Sequence, residues 1–468
     1  MLHAAAWRSP FPCRRPSSFL HSLRCSASPH PSPCDAASHA LSVAPMLDYT
    51  DVHFRQLCRI LSSKAILYTE MVVDNAINNM EPSKLRRHLA FPPEQRPVLQ
   101  LGGSSASVLA AASSTAARLG FTQLNLNCGC PSPRVAGAGC FGAALMATPR
   151  AVAAAVAAMA DASGCGVTVK CRTGVDERDS YEELCEFVDV VASEGGVSHF
   201  IIHARKALLD GLSPADNRKI PPLHPERVFA LARDFPGLSF TINGGLGSRA
   251  AASSALATAR RRGTRGLAGA MLGRAVADRP WDILGGADAD DTLWGGACDA
   301  APPDPSNSTF VGDSRTRRDA ITRYVAYADG EGATMGRSSI RSRIRPLLNL
   351  FAGQHRGKAW RHALDAACAG GGRGGEGGGG GNSGRGDIDG GGDGAVGRIV
   401  AAAMRAVSDD VLDAPPAAAA AAAVEAVEAE GEGGHEGCVA PMPPPARFGW
   451  RQQSGEGCGV ELRAAVCA

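Results

Sequence analysis

Residues 167–205 read VTVKCRTGVDERDSYEELCEFVDVVASEGGVSHFIIHAR, and this stretch contains the repeating unit that decides the fold. Two short apolar runs, VTVKCR (167–172) and HFIIHAR (199–205), flank a charged and apolar stretch over 180–194 that is long enough for a helix. Runs without strict polar alternation are typical of strands buried on both faces of a parallel sheet. The stretch therefore predicts a strand–helix–strand unit.

The same unit recurs throughout residues 41–285. Six further runs are LSVAPM (41–46), ILYTEM (66–71), PVLQLGG (97–103), QLNLNCG (123–129), SFTINGG (239–245) and GLAGAMLGR (266–274), with helical stretches at 104–119, 149–162 and 225–233. Eight runs in a segment of this length predict an α/β fold, a (β/α)8 TIM barrel. An open doubly wound sheet is the alternative. It more naturally carries G-x-G-x-x-G after its first strand, whereas PMLDYT stands here.

The N-terminal residues have a different composition. Within 1–40, Arg8, Arg14, Arg15 and Arg24 stand among many Ser, Pro and Ala, and no acidic residue precedes Asp35. This composition is typical of an organellar transit peptide, for chloroplast or mitochondrion. The alternative is a disordered extension without a targeting signal, on a cytoplasmic protein.

Composition also divides the rest of the 468-residue chain. Residues 286–313 are rich in Asp, Gly and Pro, which indicates a linker or an insertion. Residues 314–367 predict a small helical domain. Residues 368–468 are low in complexity and rich in Gly, Ala and Pro, so they predict a mostly disordered tail with a possible short helix near 396–412.

Charge, hydropathy and cysteine spacing exclude several classes of protein. The net charge of +2 offers no argument for a nucleic-acid partner. No apolar run is long enough to predict a membrane span. The 15 cysteines are irregularly spaced, which favours reduced thiols. Cys128, Cys130 and Cys140 form a C-x-C pair with one further Cys, a poor fit to zinc, so we expect no metal.

Polar or glycine-containing clusters end nearly every apolar run. They are Pro45–Met46, Glu70, Gln100, Asn125–Asn127–Cys130, Lys170–Arg172, His203–Arg205, Asn243–Gly244–Gly245 and Gly273–Arg274. In a barrel these ends share one rim, where active sites are built. Asn-Gly-Gly followed one strand later by Gly-Arg indicates a cradle for a phosphate, commonly that of flavin mononucleotide (FMN).

The side chains at this rim suit an electron-rich ring. Lys170 and His203 can donate hydrogen bonds to a flavin ring and to its phosphate or ribityl oxygens, and Gln100 suits its pyrimidine edge. Cys130 lies between Gly129 and Pro131, on a loop just past its strand. Because a free thiol is largely protonated at neutral pH, Cys130 is a candidate proton donor.

Long motifs in the chain resemble one enzyme family. SVAPMLDYTDVHFRQL, LYTEMV, VLQLGG, LNLNCGCPSPRV, VTVKCRTGVD, FIIHARKALLDGLSPADNRKIPPL and INGGL are similar to the A type of tRNA-dihydrouridine synthases. The resemblance is nearly continuous over 41–285. It resumes more weakly over 314–367, where RSRIRPLLNLFAGQHRGKAWRHAL resembles the family's C-terminal tRNA-binding helical domain.

The resemblance implies a reaction and its participants. These are FMN in the barrel mouth, NADPH as reductant, and tRNA, whose uridine is reduced at its C5–C6 bond in the D-loop at positions 20 and 20a. Hydride would pass from the reduced flavin to C6, and Cys130 would donate the proton to C5. The uridine would have to leave its stack to react. A monomer with no DNA and no membrane partner is implied.

By the same resemblance, two sets of residues would bind the ligands. The FMN set comprises Pro45, Met46, Leu47, Gln100, Lys170, His203, Asn243, Gly244, Gly245, Gly273 and Arg274. The tRNA set comprises Asn127, which would contact the base or its ribose, with Arg205, Lys206, Asn217, Arg218, Arg343 and Arg345.

The chain departs from the family pattern at three places. FGAALM replaces the usual GACLM, so Ala144 stands where a thiol is usual, Ala275 follows Gly273–Arg274 in place of an acidic residue, and 286–313 replaces a short connection. Two other functions remain open. A small-molecule FMN oxidoreductase of the dihydropyrimidine or dihydroorotate type would not need the helical domain. An RNA-binding protein without a reaction would not need Cys130.

Overall fold

Eight parallel strands, connected in chain order, close into one barrel in the computed structural model. They are β1 (Leu41–Val43), β2 (Ile66–Val73), β3 (Val98–Gly102), β4 (Gln123–Cys128), β5 (Gly166–Arg172), β6 (His199–His203), β7 (Ser239–Asn243) and β8 (Leu267–Leu272). The ring closes where Val43 of β1 pairs with Leu272 of β8. The predicted TIM barrel is confirmed, and every predicted run forms a strand. The structure describes residues 39–132, 141–264, 266–294, 314–337, 339–370 and 394–416.

Helices connect the strands and continue beyond β8. They are α1 (Val52–Leu61), α2 (Asp74–Asn79), α3 (Pro82–Leu89), α4 (Ala106–Arg118), α5 (Pro149–Ser163), α6 (Tyr181–Gly195), α7 (Pro225–Asp234), α8 (Arg249–Arg261), α9 (Arg274–Asp278), α10 (Pro280–Leu284), α11 (Asp291–Trp294), α12 (Arg317–Asp329), α13 (Ile340–Ile344), α14 (Gly357–Gly370), α15 (Ala395–Met404) and α16 (Asp409–Leu412). None of these helices is long and apolar enough to cross a membrane.

Helix α6 illustrates how local sequence sets the boundaries. The Ser180 hydroxyl accepts a hydrogen bond from the backbone N–H of Glu183, and the Glu183 carboxylate accepts one in return from the N–H of Ser180. This capping box satisfies N–H groups that have no partner within the helix. Gly196, at φ +73°, ends the helix in a left-handed conformation that favours glycine. Between these ends, apolar side chains such as Phe187 and Val191 are buried against the barrel.

The inside of the barrel is filled with side chains. Tyr68, Val98, Ile201 and Met271 pack there with Ala44 as one apolar cluster. Toward the carboxyl ends of the strands, buried polar side chains lie above this cluster, among them Gln100 and Asn125. Because the interior is solid, a ligand has room only at the mouth of the barrel, on the carboxyl rim.

The barrel extends beyond both of its predicted limits. Before Leu41, the carbonyl of Ala40 accepts a hydrogen bond from the N–H of Ala270 at 3.0 Å, and the His39 ring stacks on His199. After 285, Asp288 accepts hydrogen bonds from Ser62 and Ser63. The N-terminal extension therefore ends before His39, and the first part of the predicted linker is folded. Residues 295–313 lie outside the described part.

The helical segment packs directly on the barrel helix α1. His53 of α1 contacts the Tyr327 hydroxyl at 3.1 Å and the Arg337 carbonyl at 2.9 Å. The Arg345 guanidinium donates to Asp51, the N-cap of α1, at 2.6 Å. These contacts join the predicted helical domain to the β1–α1 connection at the rim.

The folded part does not end at residue 367. Val396, Val400 and Ala403 of α15 are buried in the core of the helical segment. The Asp329 carboxylate accepts the N–H groups of Val396 and Gly397, both at 2.8 Å. The predicted short helix near 396–412 thus consists of α15 and α16, and both belong to the helical segment. Residues 371–393 and 417–468 of the predicted tail lie outside the described part.

Candidate active site

The strand register brings the polar strand ends together on one rim. Asn127 of β4 lies opposite Lys170 of β5, and Arg172 of β5 lies opposite His203 of β6. His203 in turn lies opposite Asn243 of β7. The candidate residues from 127 to 243 therefore follow one another around the mouth of the barrel.

The loop that carries Cys130 is held from two sides. The Asn127 amide oxygen accepts the backbone N–H groups of Gly129 and Cys130, both at 3.0 Å. From β5, the Arg172 Nε donates to the Gly129 carbonyl at 2.9 Å. The thiol is half-buried and stands on a backbone fixed before and beside it.

Asn127, which is half-buried at the rim, already makes hydrogen bonds within the protein. Its amide oxygen serves the Cys130 turn, and its amide nitrogen donates to the Gln100 side chain at 3.0 Å. The second amide hydrogen of Asn127 is left for a ligand, so its predicted contact with the base or its ribose stays a prediction. In this structure Asn127 positions Cys130.

Amide side chains link β3, β4 and β5 beneath the mouth. The Gln100 amide nitrogen donates to the Asn125 oxygen at 2.8 Å, and the Asn125 nitrogen donates to the Thr168 hydroxyl at 2.9 Å. Gln100 and Asn125 are fully buried, so these hydrogen bonds satisfy groups that are costly to leave unpaired. Gln100 retains at most one amide hydrogen for a ligand.

Lys170 of β5 reaches past β6 to the end of β7. Its ammonium donates to the Asn243 amide oxygen at 3.0 Å, and the Asn243 nitrogen donates to the Met271 carbonyl at 2.8 Å. Burial, helped by the positive charge of Arg172, lowers the pKa of Lys170 to about 8. An anionic ligand at the mouth would favour the charged form.

His203 lies under the turn after β7. A Cβ atom at Gly244 would stand 2.3 Å from the His203 Cδ2, so only glycine fits over the ring. Burial lowers the pKa of His203 well below its ordinary value, and the charges of Arg172, Lys170, Arg205 and Arg274 lower it further. His203 is therefore neutral at pH 7 and can donate one ring N–H. The four neighbouring cations make the mouth attractive to anions.

The turns after β7 and β8 fit a phosphate. Gly244 and Gly245 have φ values of +94° and +75°, and a Cβ at Gly245 would stand 2.5 Å from Leu223. On the loop after β6, Arg205 donates from Nη1 to the Pro221 carbonyl, and its buried Nε has no hydrogen-bond partner among the described residues. Gly273 and Arg274 at the start of α9 complete the arrangement that barrels use for phosphates.

The loop after β1 borders the same cradle. A Cβ at Gly273 would stand 3.3 Å from the Met46 sulfur, so the β1 and β8 ends are neighbours. Pro45 and Met46 are half-buried at this point, whereas Leu47 is exposed. Of the predicted FMN set, Leu47, Gly245 and Arg274 are exposed.

Two predicted tRNA contacts prove to be internal. Asn217 is completely buried, and its side chain pairs with both backbone groups of Leu208 at 2.8 Å. Arg343 is 4% exposed and donates to the Ala328 carbonyl at 2.5 Å. The prediction that Asn217 and Arg343 bind tRNA is therefore wrong, because neither side chain reaches the surface.

The other predicted tRNA contacts lie at the surface. Arg218 is exposed, and its carbonyl accepts a hydrogen bond from Arg274 at 3.4 Å. Arg205 is half-buried, and Lys206 pairs with Asp179 at 3.3 Å. Arg345 pairs with Asp51 and retains partial exposure. Arg205 and Arg218 adjoin the mouth, whereas Arg345 lies on the helical segment.

Two residues of this site carried no role in the sequence analysis, where they only belonged to polar strand ends. Arg172 fixes the Cys130 loop and also donates to the carbonyl oxygens of Lys206 and Asn217. Asn125 joins Gln100 to Thr168. Their position at a strand end was the available signal. Among the described residues, no cluster of His, Cys, Asp or Glu could hold a metal ion.

The Cys130 thiol lies among positively charged side chains at the carboxyl rim, near turns that fit a phosphate. This arrangement is typical of an enzyme whose active site lies at the carboxyl rim of a TIM barrel. The sequence model of the dihydrouridine synthase (Dus) family matches residues 42–292. The chain belongs to this family and is therefore an oxidoreductase.

Bacterial relatives cover most of the chain. The tRNA-dihydrouridine(20/20a) synthase of Shigella flexneri is 41% identical over 328 residues, which are 70% of this chain and 87% of that protein. The protein of the same name from Yersinia pestis is 42% identical over 324 residues, 69% of this chain and 85% of that one. A solved structure of a morphinone reductase mutant with tetrahydroNAD aligns with a TM-score of 0.35 at 14% identity, covering 58% of this chain and 90% of that one, a level that supports no inference.

Proposed function

We propose that this protein reduces the C5–C6 bond of uridine to 5,6-dihydrouridine in tRNA, with FMN as cofactor and NADPH as reductant. The observation that carries the proposal is the placement of Cys130 at the mouth of the barrel, beside a cradle that fits a phosphate. The family, and the names of relatives about 41% identical over most of both chains, support the substrate and the D-loop positions 20 and 20a.

The cradle and the strand ends would hold the cofactor. The glycine backbone at 244–245 and Arg205 suit its phosphate, whereas Lys170 and the neutral His203 suit electron-rich ring atoms. The chemistry that a bound flavin would supply here is hydride for C6 of the uridine. Side chains fill the inside of the barrel below, so these residues would hold the cofactor at the rim.

Cys130 would hold the proton that C5 receives. Its thiol lies within electrostatic range of Lys170, Arg172 and Arg218. These positive charges would attract the negative charge that develops on the reacting groups. Asn127 and Arg172 would keep the loop in place while the charge on the sulfur changes.

Reconstitution with defined components tests the proposal. Protein loaded with FMN and supplied with NADPH should convert uridine to dihydrouridine in an unmodified tRNA transcript, seen as the gain of two hydrogens by mass spectrometry. Free uridine and free dihydropyrimidines should not react. Reaction of the free bases with no product in tRNA would instead identify a small-molecule flavoenzyme, and NADH acting equally well would remove the NADPH assignment.

The composition of residues 1–40 supports an organellar address as part of this proposal. A fluorescent protein carrying these residues should enter chloroplasts or mitochondria. Diffuse fluorescence in the cytoplasm would place the enzyme on cytoplasmic tRNA.

A further inference from the structure

Among the residues that the structure describes, exposed large apolar side chains lie on two loops of the carboxyl rim. They are Leu47 and Tyr49 on the β1–α1 loop, exposed by 68% and 52%, and Ile220 and Leu223 on the β6–α7 loop, exposed by 62% and 36%. Both loops follow the carboxyl ends of barrel strands and therefore border the candidate active site. Clustered exposed apolar groups mark interaction sites rather than ordinary surface.

The loop that carries Tyr49 is rigid. The N–H groups of Tyr49 and Thr50 both donate to the Met46 carbonyl at 3.0 Å, and the Thr50 hydroxyl accepts the N–H of Met46. Asp48 adopts a left-handed conformation, with φ at +65°. This conformation is strained for a residue with a side chain, although Asp tolerates it better than most.

Two further contacts hold the strained residue. The N–H of Asp48 donates to the Glu70 carboxylate of β2 at 2.5 Å, and its side chain pairs with Arg337 of the helical segment at 3.4 Å. The loop therefore presents the Tyr49 ring to solvent from a fixed backbone. A preorganised ring loses little conformational freedom when a partner stacks on it.

Charge around this ring identifies the partner. Arg218 is exposed two residues before Ile220, and its carbonyl accepts a hydrogen bond from Arg274 at 3.4 Å. The Arg218 guanidinium also lies within electrostatic range of Tyr49 and Cys130. An apolar ring bordered by arginines matches a single-stranded nucleic acid, whose bases stack on aromatic side chains while its phosphates pair with cations.

We infer that Tyr49 is a stacking platform for the base next to the target uridine, with Ile220 as an apolar contact from the facing loop. The inference rests on the proposed function and extends it to the recognition of the neighbouring nucleotide. A base that must leave its stack exposes its neighbours, and the Tyr49 ring would replace the lost stacking partner.

Three variants at one position test this role in the full-length, FMN-loaded protein. Tyr49→Phe keeps the ring, Tyr49→Leu keeps an apolar surface without a ring, and Tyr49→Ala removes both. For dihydrouridine formation, Tyr49→Ala should raise the KM for tRNA about tenfold, the loss expected for one stacked base, with kcat little changed. Tyr49→Phe should retain the wild-type KM, and Tyr49→Leu should lie between.

A fluorescent tRNA gives a readout that does not depend on turnover. With 2-aminopurine placed next to the target uridine, the wild type and Tyr49→Phe should quench the probe on binding, and Tyr49→Ala should not. Unchanged KM and quenching in Tyr49→Ala would overturn the inference. Slower reduction of the flavin by NADPH in Tyr49→Ala, with unchanged KM for tRNA, would also overturn it, because the nicotinamide would then be the occupant. A wild-type dimer that becomes a monomer in Tyr49→Ala, measured by light scattering, would overturn it as well, because a second copy of the chain would then be the occupant. A wild type that quenches the probe but forms no dihydrouridine would contradict the proposed function and leave the stacking role supported.

Discussion

At the scale of single residues, two cysteines on the same strand end differ sharply in their surroundings. Cys128 is fully buried in β4, and burial raises the pKa of its thiol well above the ordinary value. Cys130, two residues later, is half-buried on the fixed loop at the mouth. Burial makes Cys128 inert, whereas Cys130 can reach a substrate.

This contrast supplies a matched pair of variants. Cys130→Ala should bind FMN normally but form dihydrouridine about 10²–10⁴ times more slowly, the usual contribution of a positioned acid. Cys128→Ala should keep the rate and lose only a little stability, as a small buried side chain does. The measurement is single-turnover dihydrouridine formation with pre-reduced enzyme. Equal rates for the two variants would remove Cys130 as the proton donor.

Lys170 predicts a pH dependence of cofactor affinity. Its pKa of about 8 lies well below the usual value for lysine, because burial disfavours the charged form. The ammonium is present below pH 8, so an electron-rich ligand should bind best there and progressively more weakly as the pH rises above 8. The measurement is the Kd of FMN between pH 6.5 and 9.5, determined by flavin fluorescence.

Lys206→Met serves as the control, since Lys206 pairs with Asp179 away from the strand end. Lys170→Met should bind FMN weakly at every pH in this range, and Lys206→Met should keep the wild-type profile. A wild-type affinity that stays constant through pH 8 would show that Lys170 does not face the cofactor.

At the scale of elements, the sequence predicted the strands and the rim on which their polar ends lie, because the pattern of apolar residues and their order in the chain determine both. Each apolar run became a strand, and the polar strand ends met on one rim because parallel strands point the same way. The sequence did not predict the hydrogen-bond and ion-pair partners of long polar side chains. Arg343 and Arg345 look alike in RSRIR, yet Arg343 is buried against the Ala328 carbonyl, whereas Arg345 is partly exposed and pairs with Asp51. Asn127 was likewise placed correctly, while its hydrogen bonds to the Cys130 turn depend on a loop geometry that spacing does not determine.

The two arginines should therefore respond differently to removal. Arg343→Ala should lower the free energy of unfolding by about 2 kcal/mol, because a buried charged hydrogen bond is lost. Arg345→Ala should cost about 1 kcal/mol, since the arginine is partly exposed although its partner Asp51 is buried and also caps α1. It should instead weaken tRNA binding and reduce the salt dependence of log Kd by about one unit of slope. Thermal unfolding and tRNA titrations at several salt concentrations measure both effects, and similar behaviour of the two variants would contradict their separate placement.

At the scale of the whole molecule, α15 and α16 return to the helical segment from beyond a glycine-rich stretch of sequence. The Arg318 guanidinium pairs with Asp409 at 2.5 Å and with Asp413 at 2.7 Å, beside the buried side chains of Val400 and Leu412. The helical segment in turn holds Asp48 and Asp51 at the two ends of the loop that borders the mouth. Loss of α15 and α16 should therefore affect the active site indirectly, because it would disturb the positions of Arg337 and Arg345 and their ion pairs with Asp48 and Asp51.

Two truncations separate the folded part of the tail from the remainder. Deleting 394–468 should lower the melting temperature by several degrees and raise the KM for tRNA, because each buried valine lost contributes about 1.5–3 kcal/mol. Deleting 417–468 keeps every contact named above and should leave both quantities at their wild-type values. Thermal unfolding of the FMN-loaded proteins, followed by tRNA kinetics, measures the difference. If the longer truncation unfolded at the wild-type temperature, the buried contacts of α15 would not stabilise the helical segment, and its coupling to the mouth would have to run through α12–α14 alone.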